Sequence, residues 1–435
     1  MNIRVVNWSP ARRSRTMEVF LQRPAFDNNA ERIAAELLFD IKQRGEPALL
    51  AAIAKYEGVA LKSTELRVSQ KEIDEAEHLV DSNVRKQIDA AHARVLEFSK
   101  RSIRSDWEME TPNGGKLGEF FTPLSRVGIY VPGGAAPLAS TVIMTATLAQ
   151  AAGVKEIVAC TPGGKSKKLS PEMLYAMKAC GVTEVYRIGG IQAIGLMAYG
   201  IRHCEPVRKI VGPGGTFVTA AKRQVYGTVA LDLVAGPSEI AILADDSADP
   251  DHVAADLLSQ AEHGSGFEKA MLITDSPTLA NEVSRAISRQ MAQLSRKDMI
   301  KKVIAKNGIL LATAPSIEDG LGLINRFAPE HFELVVRNPE KYLPRVTTAG
   351  AVFVGPWTPE PVGDFAAGPS HVLPTGGAGK MFSGLTVEDF RRRTSLVNYT
   401  EQDLRDAMPI IDMFGTIEGL DGHKNSAAIR FKNPK

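Results

Sequence analysis

The hydrophobic pattern of the chain changes twice along its length. Residues 27–104 carry apolar positions at helical spacing, with amphipathic stretches over 30–39 and 84–98, and Asp27 or Asn28 can cap the first. From about residue 126, short apolar runs alternate with apolar helical stretches. Strands are expected over 127–131, 156–160, 184–188 and 209–211, each ending in glycine: Pro132-Gly-Gly134, Pro162-Gly-Gly164, Gly189-Gly190 and Gly212-Pro-Gly-Gly215. Helices are expected between them over 140–152, 173–180 and 192–199. A strand, glycine turn, helix rhythm is that of βαβ units in a parallel sheet. A second run repeats it, with strands over 240–243, 270–274, 308–312, 332–336 and 351–354 and helices over 251–263 and 278–306. Beyond about 384 the pattern is polar and helical.

These changes predict an α/β chain with two Rossmann-like, doubly wound domains. Residues 1–25 would form an N-terminal arm. Residues 26–126 and 238–383 would form a first, discontinuous domain, and 127–237 the second. Residues 384–435 would form a helical C-terminal tail. A length of 435 residues agrees with more than one core.

Composition adds mainly exclusions. The chain is 44% hydrophobic and 23% charged, as in an ordinary globular enzyme. A formal charge of +2 gives no broad electrostatic case for nucleic acid or a membrane surface. Lys165-Ser-Lys-Lys168 reads as an exposed loop and Arg391-Arg-Arg393 as a solvated helix face. Cys160, Cys180 and Cys204 form no CxxC pair and no disulfide framework, and Cys160 and Cys180 read as buried packing residues. No apolar run approaches the ~18 residues of a membrane span. The first residues lack the layout of a signal peptide. A cytoplasmic protein is expected.

The polar residues that could carry chemistry are few. Gln260 and His263 stand three apart in a stretch that reads as helix, so both can face one ion. Asp364, after Gly363, and His423 lie far downstream. Two imidazoles and a carboxylate suit zinc, with the amide oxygen as a weaker ligand. Spacing alone does not say that these residues meet. Glu330 and His331 adjoin just before a strand, where neighbouring side chains point opposite ways and could serve different steps. The plainer reading is a surface glutamate beside a half-buried histidine. Gly-Pro-Ser238 lies at the junction of the two α/β runs, and His371 follows Asp364 by seven residues. None of the glycine turns is a GxGxxG fingerprint, but several at equivalent strand ends suit a phosphorylated ligand.

Taken together and in order, these segments resemble the histidinol dehydrogenase family. The resemblance runs from about residue 27 to about 430. It rests on Gly128-Ile-Tyr-Val-Pro-Gly-Gly134, Gly189-Gly-Ile-Gln192, Gly212-Pro-Gly-Gly215, Ala235-Gly-Pro-Ser238-Glu, the segment 256–263 that ends in Gln260-Ala-Glu-His263, Ala328-Pro-Glu330-His331, Gly363-Asp364-Phe, His371-Val-Leu-Pro-Thr375 and Glu418-Gly-Leu-Asp-Gly-His423. It implies NAD- and zinc-dependent oxidation of L-histidinol to L-histidine through an aldehyde, with one zinc per subunit held by Gln260, His263, Asp364 and His423. His331 would be the base for alcohol oxidation, and Glu330 would activate water for the second step. Ser238, Glu360 and Glu418 would contact substrate together with His331 and the metal ligands. Tyr130 and Gln192 would touch NAD, carried by residues 127–237. The family implies a homodimer with a shared active site, to which the partner's tail supplies Glu418 and His423. The family usually has Asn where this chain has Gly215. A hydrogen bond to the cofactor would then be absent, costing about 0.5–1.5 kcal/mol if water does not replace it. Two other readings stay open: a paralogous dehydrogenase of another amino- or sulfo-alcohol, and a zinc hydrolase.

Overall fold

The computed structural model describes residues 3, 5–12, 14–23, 27–133, 138–233, 236–263 and 265–432. Gly134 and Ala235 of the motifs above lie outside the described residues. The chain divides into two compact units, Met1–Ser102 with Leu124–Phe390, and Ile103–Pro123 with Arg391–Lys435.

The larger unit holds two parallel sheets. The five-stranded sheet runs Glu184–Tyr186, Glu156–Cys160, Arg126–Tyr130, Lys209–Val211, Ala230–Leu231. Numbered along the chain, that order is 3-2-1-4-5, the doubly wound arrangement whose direction of winding reverses between the first and fourth strands. The six-stranded sheet runs Val5–Asn7, Ile309–Thr313, Lys269–Thr274, Glu239–Ala244, His331–Val335, Ala351–Val354. It repeats the same order with one extra edge strand, and reverses between Glu239–Ala244 and His331–Val335. Central strands are buried on both faces, which is why they read as continuous apolar runs.

Three features differ from the sequence expectation. First, the described part of residues 1–25 is not a separate arm. Val5–Asn7 pairs in parallel with Leu311–Thr313, and Met17 and Phe20 of the helix Arg15–Leu21 are buried against Phe327 and Phe332. Second, the helix that follows residue 27 does not join the six-stranded sheet. Asn28–Arg44, capped by Asp27, buries Ala30, Ala34, Leu37, Leu38 and Ile41 in one cluster with Ile194, Leu196 and Ile210 of the five-stranded half. The apolar stripe was legible, but a stripe does not name its partner. Third, the tail opens with a strand. Arg391–Asn398 pairs antiparallel with Lys116–Pro123, which pairs with Trp107–Glu110, so the Arg391–Arg393 run lies on a strand rather than a helix face. The tail is helical thereafter, over Glu401–Ile417 and Asp421–Ala428. The expected helix over 278–306 is two helices, Pro277–Met291 and Lys297–Ala305. The three cysteines are free and buried. Among the described residues no helix is long and apolar enough to cross a membrane.

Candidate active site

A cavity of about 510 Å³ opens where the two reversal points of the larger unit face each other. One wall comes from beyond the carboxyl ends of the five-stranded sheet: Pro132, Pro213, Gly214 and Gly215. The other comes from the amino ends of the six-stranded sheet, with Ser238 before one central strand and Glu330 and His331 at the next. Helix Pro250–Ala261 contributes Ser259, with His263 just beyond its end. The short helix Glu360–Phe365 contributes Glu360 and Asp364, and His371 follows it.

Glu330 and His331 are both buried, unlike the plainer sequence reading. The ring of His331 is oriented by acceptors. Its Nδ1 lies 3.1 Å from the Glu239 carbonyl oxygen and 3.0 Å from Gln260 Oε1, so Nδ1 carries the hydrogen. Nε2 then has a free lone pair, and among the described residues it has no hydrogen-bond partner, standing 3.8 Å from Glu360 Oε1 and 3.9 Å from Asp364 Oδ1. Burial pushes the His331 pKa down to about 4, against the pull of Asp364. Glu330 is anchored through Oε2, which accepts the Glu239 N–H over 3.0 Å. Burial raises its pKa, reinforced by the charges of Glu239, Asp364 and Glu360. Burial, with Asp364 beside it, pushes Glu360 up to about 9. Its backbone N–H donates to the buried Glu333 Oε1 over 2.9 Å, which fixes the start of its helix.

The expected metal ligands are partly gathered. Gln260 Nε2 lies 3.3 Å from His263 Nδ1, so the spacing of three does bring these side chains together, although the helix ends at Ala261. His263 and Asp364 line the cavity, and Gln260 is buried beside His331. His423 and Glu418 belong to the smaller unit, where both are exposed. His331, Glu360 and Asp364 form a group whose donor atoms all lie within 4.8 Å of one another, sharing Asp364 with the expected set. Buried carboxyls and an unpartnered imidazole nitrogen around one cavity are what a divalent cation would balance. The residues present therefore fit zinc.

The cofactor residues are less direct. Tyr130 and Gln192 stand buried behind the glycine turns rather than on the cavity wall. The Tyr130 hydroxyl accepts the Gly190 N–H over 3.2 Å. Gln192 Nε2 donates to Glu57 Oε1 over 2.8 Å, which also accepts the Gly189 N–H over 3.1 Å. Gly215 lines the cavity as the N-cap of helix Thr216–Val225, with no side chain to cap it, and a Cβ there would meet nothing within 4 Å. A bare backbone at these turns fits the close approach of a dinucleotide.

Sequence reasoning gave no role to Glu239, Glu57, Glu333 or His371. Glu239 is held by Arg23 at 2.6 Å and orients both Glu330 and His331 through its main chain. His371 lines the cavity 3.7 Å from Asp364 Oδ1, and its closeness in sequence to Asp364 was the signal. Glu57 closes a π-helical turn, Ile53–Glu57, which no apolar periodicity announces.

Comparison with known proteins gives the family. A profile of the histidinol dehydrogenase family matches residues 21–431. The chain is 40% identical over 414 residues to histidinol dehydrogenase of Heliobacterium mobile, covering 95% of this chain and 96% of that one. It is 41% identical over 395 residues to that of Synechococcus sp., covering 91% of each. A crystal structure of histidinol dehydrogenase from Elizabethkingia anophelis superposes with a TM-score of 0.93 at 33% identity, over 99% of both chains. The chain belongs to the histidinol dehydrogenase family, whose members are oxidoreductases.

Proposed function

We propose that this member of the family oxidises L-histidinol to L-histidine through L-histidinal, the last step of histidine biosynthesis, with NAD as acceptor and one zinc per subunit. His331 carries this reading. Its Nδ1–H is committed to the Glu239 carbonyl, and its Nε2 is left unpartnered among the described residues, beside Glu360 and Asp364, in a cavity whose far wall is glycine-rich backbone.

When bound, zinc would orient the amino and imidazole nitrogens of the substrate, and two NAD molecules in succession would each accept one hydride. Gln260, His263 and Asp364 would hold the metal, with the partner subunit's His423 as fourth ligand. His331 Nε2 takes the hydroxyl proton in the first oxidation. Glu330, whose Oε2 lies 3.8 Å from His331 Nδ1, takes a proton from the water that adds to the aldehyde. Glu360, Ser238 and the partner subunit's Glu418 contact the substrate. Tyr130 and Gln192 support the NAD site from behind the turns. Such an enzyme would act in the cytoplasm. In support of a homodimer, helix Glu401–Ile417 exposes Ile410, Met413, Phe414 and Ile417, a stripe at helical spacing that a partner would cover.

The test is NADH absorbance on adding L-histidinol to the zinc-loaded protein. Oxidation of another amino- or sulfo-alcohol with none of L-histidinol would replace the substrate reading.

A further inference from the structure

The turn Gly212-Pro-Gly-Gly215 links the fourth strand of the five-stranded sheet to helix Thr216–Val225 and lines the cavity through Pro213, Gly214 and Gly215. Beneath it lies an ion pair with almost no exposure: the side chains of Lys222 and Asp232 are 3% and 1% accessible. Lys222 Nζ donates to Asp232 Oδ1 over 2.5 Å and to the Gly212 carbonyl over 2.9 Å. Asp232 Oδ2 accepts the Gly212 N–H over 2.7 Å. Both backbone polar groups of Gly212 are thus taken by the two ends of one ion pair, in a closed ring.

Gly212 leaves no alternative residue. Its φ is +113°, and a Cβ would stand 2.2 Å from the Tyr130 carbonyl oxygen. The turn is pressed against the end of the neighbouring strand and locked from below by charge. A fully buried ion pair is a poor device for stability alone, because desolvation opposes its attraction. It is a good device for holding one geometry, since any shift of the turn strips a buried charge of its partners.

We propose that Lys222 and Asp232 are positioning residues for the cofactor, holding the Gly212–Gly215 turn in the one conformation that receives NAD. This rests on the reading of the turn as part of the NAD site. Neither residue touches the cavity; both act through Gly212.

The experiment is NADH binding, followed by fluorescence titration, alongside kinetics and bound zinc. Two variants are compared with the wild type: Asp232→Asn, which strands the ammonium, and Lys222→Arg, which keeps both charges but cannot close the compact ring. Each is expected to weaken NADH binding and raise the KM for NAD at least about tenfold, while the KM for histidinol and the zinc content stay unchanged. Either folded variant with NADH affinity and NAD KM within about twofold of wild type overturns the proposal, even if its melting temperature falls. A wild type that binds NADH but does not oxidise histidinol sinks the substrate reading and leaves the role of the pair standing. A wild type that does not bind NADH sinks both.

Discussion

His331 and Glu239 are joined through the main chain: the imidazole Nδ1–H meets the Glu239 carbonyl oxygen over 3.1 Å, across two adjacent parallel strands. The N–H of the same residue holds Glu330 over 3.0 Å. One residue on one strand thus orients both groups expected to move protons. It does so through backbone, which substitution of its own side chain would leave in place.

The two neighbours should separate by step. His331→Ala removes the Nε2 lone pair and should depress histidinol oxidation by ~10²–10⁴-fold, the usual cost of a lost general base. Glu330→Gln keeps an acceptor for the Glu239 N–H, so the strand end should hold. It should slow oxidation of histidinal more than of histidinol. NADH formation from each substrate supplied separately checks this, and an equal loss on both for Glu330→Gln would defeat the division of labour.

His263 lies against Gln260 and lines the cavity with Asp364. His263→Asn should abolish most zinc binding and most turnover, with the circular dichroism unchanged. Elemental analysis of the purified variant decides the point. Full activity in metal-free protein would refute zinc at these residues.

Shared sites can be complemented. Subunits carrying His263→Ala and subunits carrying His423→Ala should each be inactive. A heterodimer would contain one intact site, so mixing under exchange conditions should restore part of the activity. Proven heterodimers without recovery would mean that each site is built from a single chain.

At Gly215 the chain lacks a side chain where there is room for one. Gly215→Asn would cap helix Thr216–Val225, for which a gain of only a few tenths of a kcal/mol is expected over glycine. It should also lower the KM for NAD, by up to about tenfold if the new amide reaches the cofactor. Unchanged NAD kinetics in a stably folded variant would show that the missing amide is immaterial here.

The smaller unit should be acid-sensitive through Asp403. Burial would raise its pKa, but the Thr400 backbone and the Thr111, Thr400 and Asn113 side chains bind its carboxylate and hold it below the ordinary 3.8. A carboxylate depressed on folding stabilises above its unfolded pKa, and that contribution is lost as pH falls toward its folded value. Wild-type stability should therefore fall below about pH 4, and Asp403→Asn should be less stable at neutral pH with a shallower fall. Melting temperatures from about pH 5 down to about pH 3 test the sign.

Much of the fold was legible in the sequence because local patterns report local burial. A strand covered on both faces must be apolar throughout, so residues 240–243 and 270–274 declared themselves, as did the capped stripe after Asp27. Gln260 and His263 do meet, as a spacing of three suggested, but the helix ends at Ala261 and the turn after it, not a helical face, brings His263 there.

What only the tertiary structure decided are relations between distant residues. The Glu239 N–H meets Glu330 across 91 positions, and Glu57 reaches Gln192 across 135. Arg391–Asn398 finds its strand partner far back at Lys116–Pro123. Neither periodicity nor spacing encodes such pairings, because they depend on which elements far apart in the chain become neighbours when it folds. The same holds for the helix Asn28–Arg44 and the apolar residues after it up to Leu66. Their stripes required some sheet, and the choice of the five-stranded one rests on the shape of a core assembled from the whole unit. The cavity exists because carboxyl ends of one sheet face amino ends of the other. That arrangement draws on residues of both sheets, and no single segment of the chain contains it.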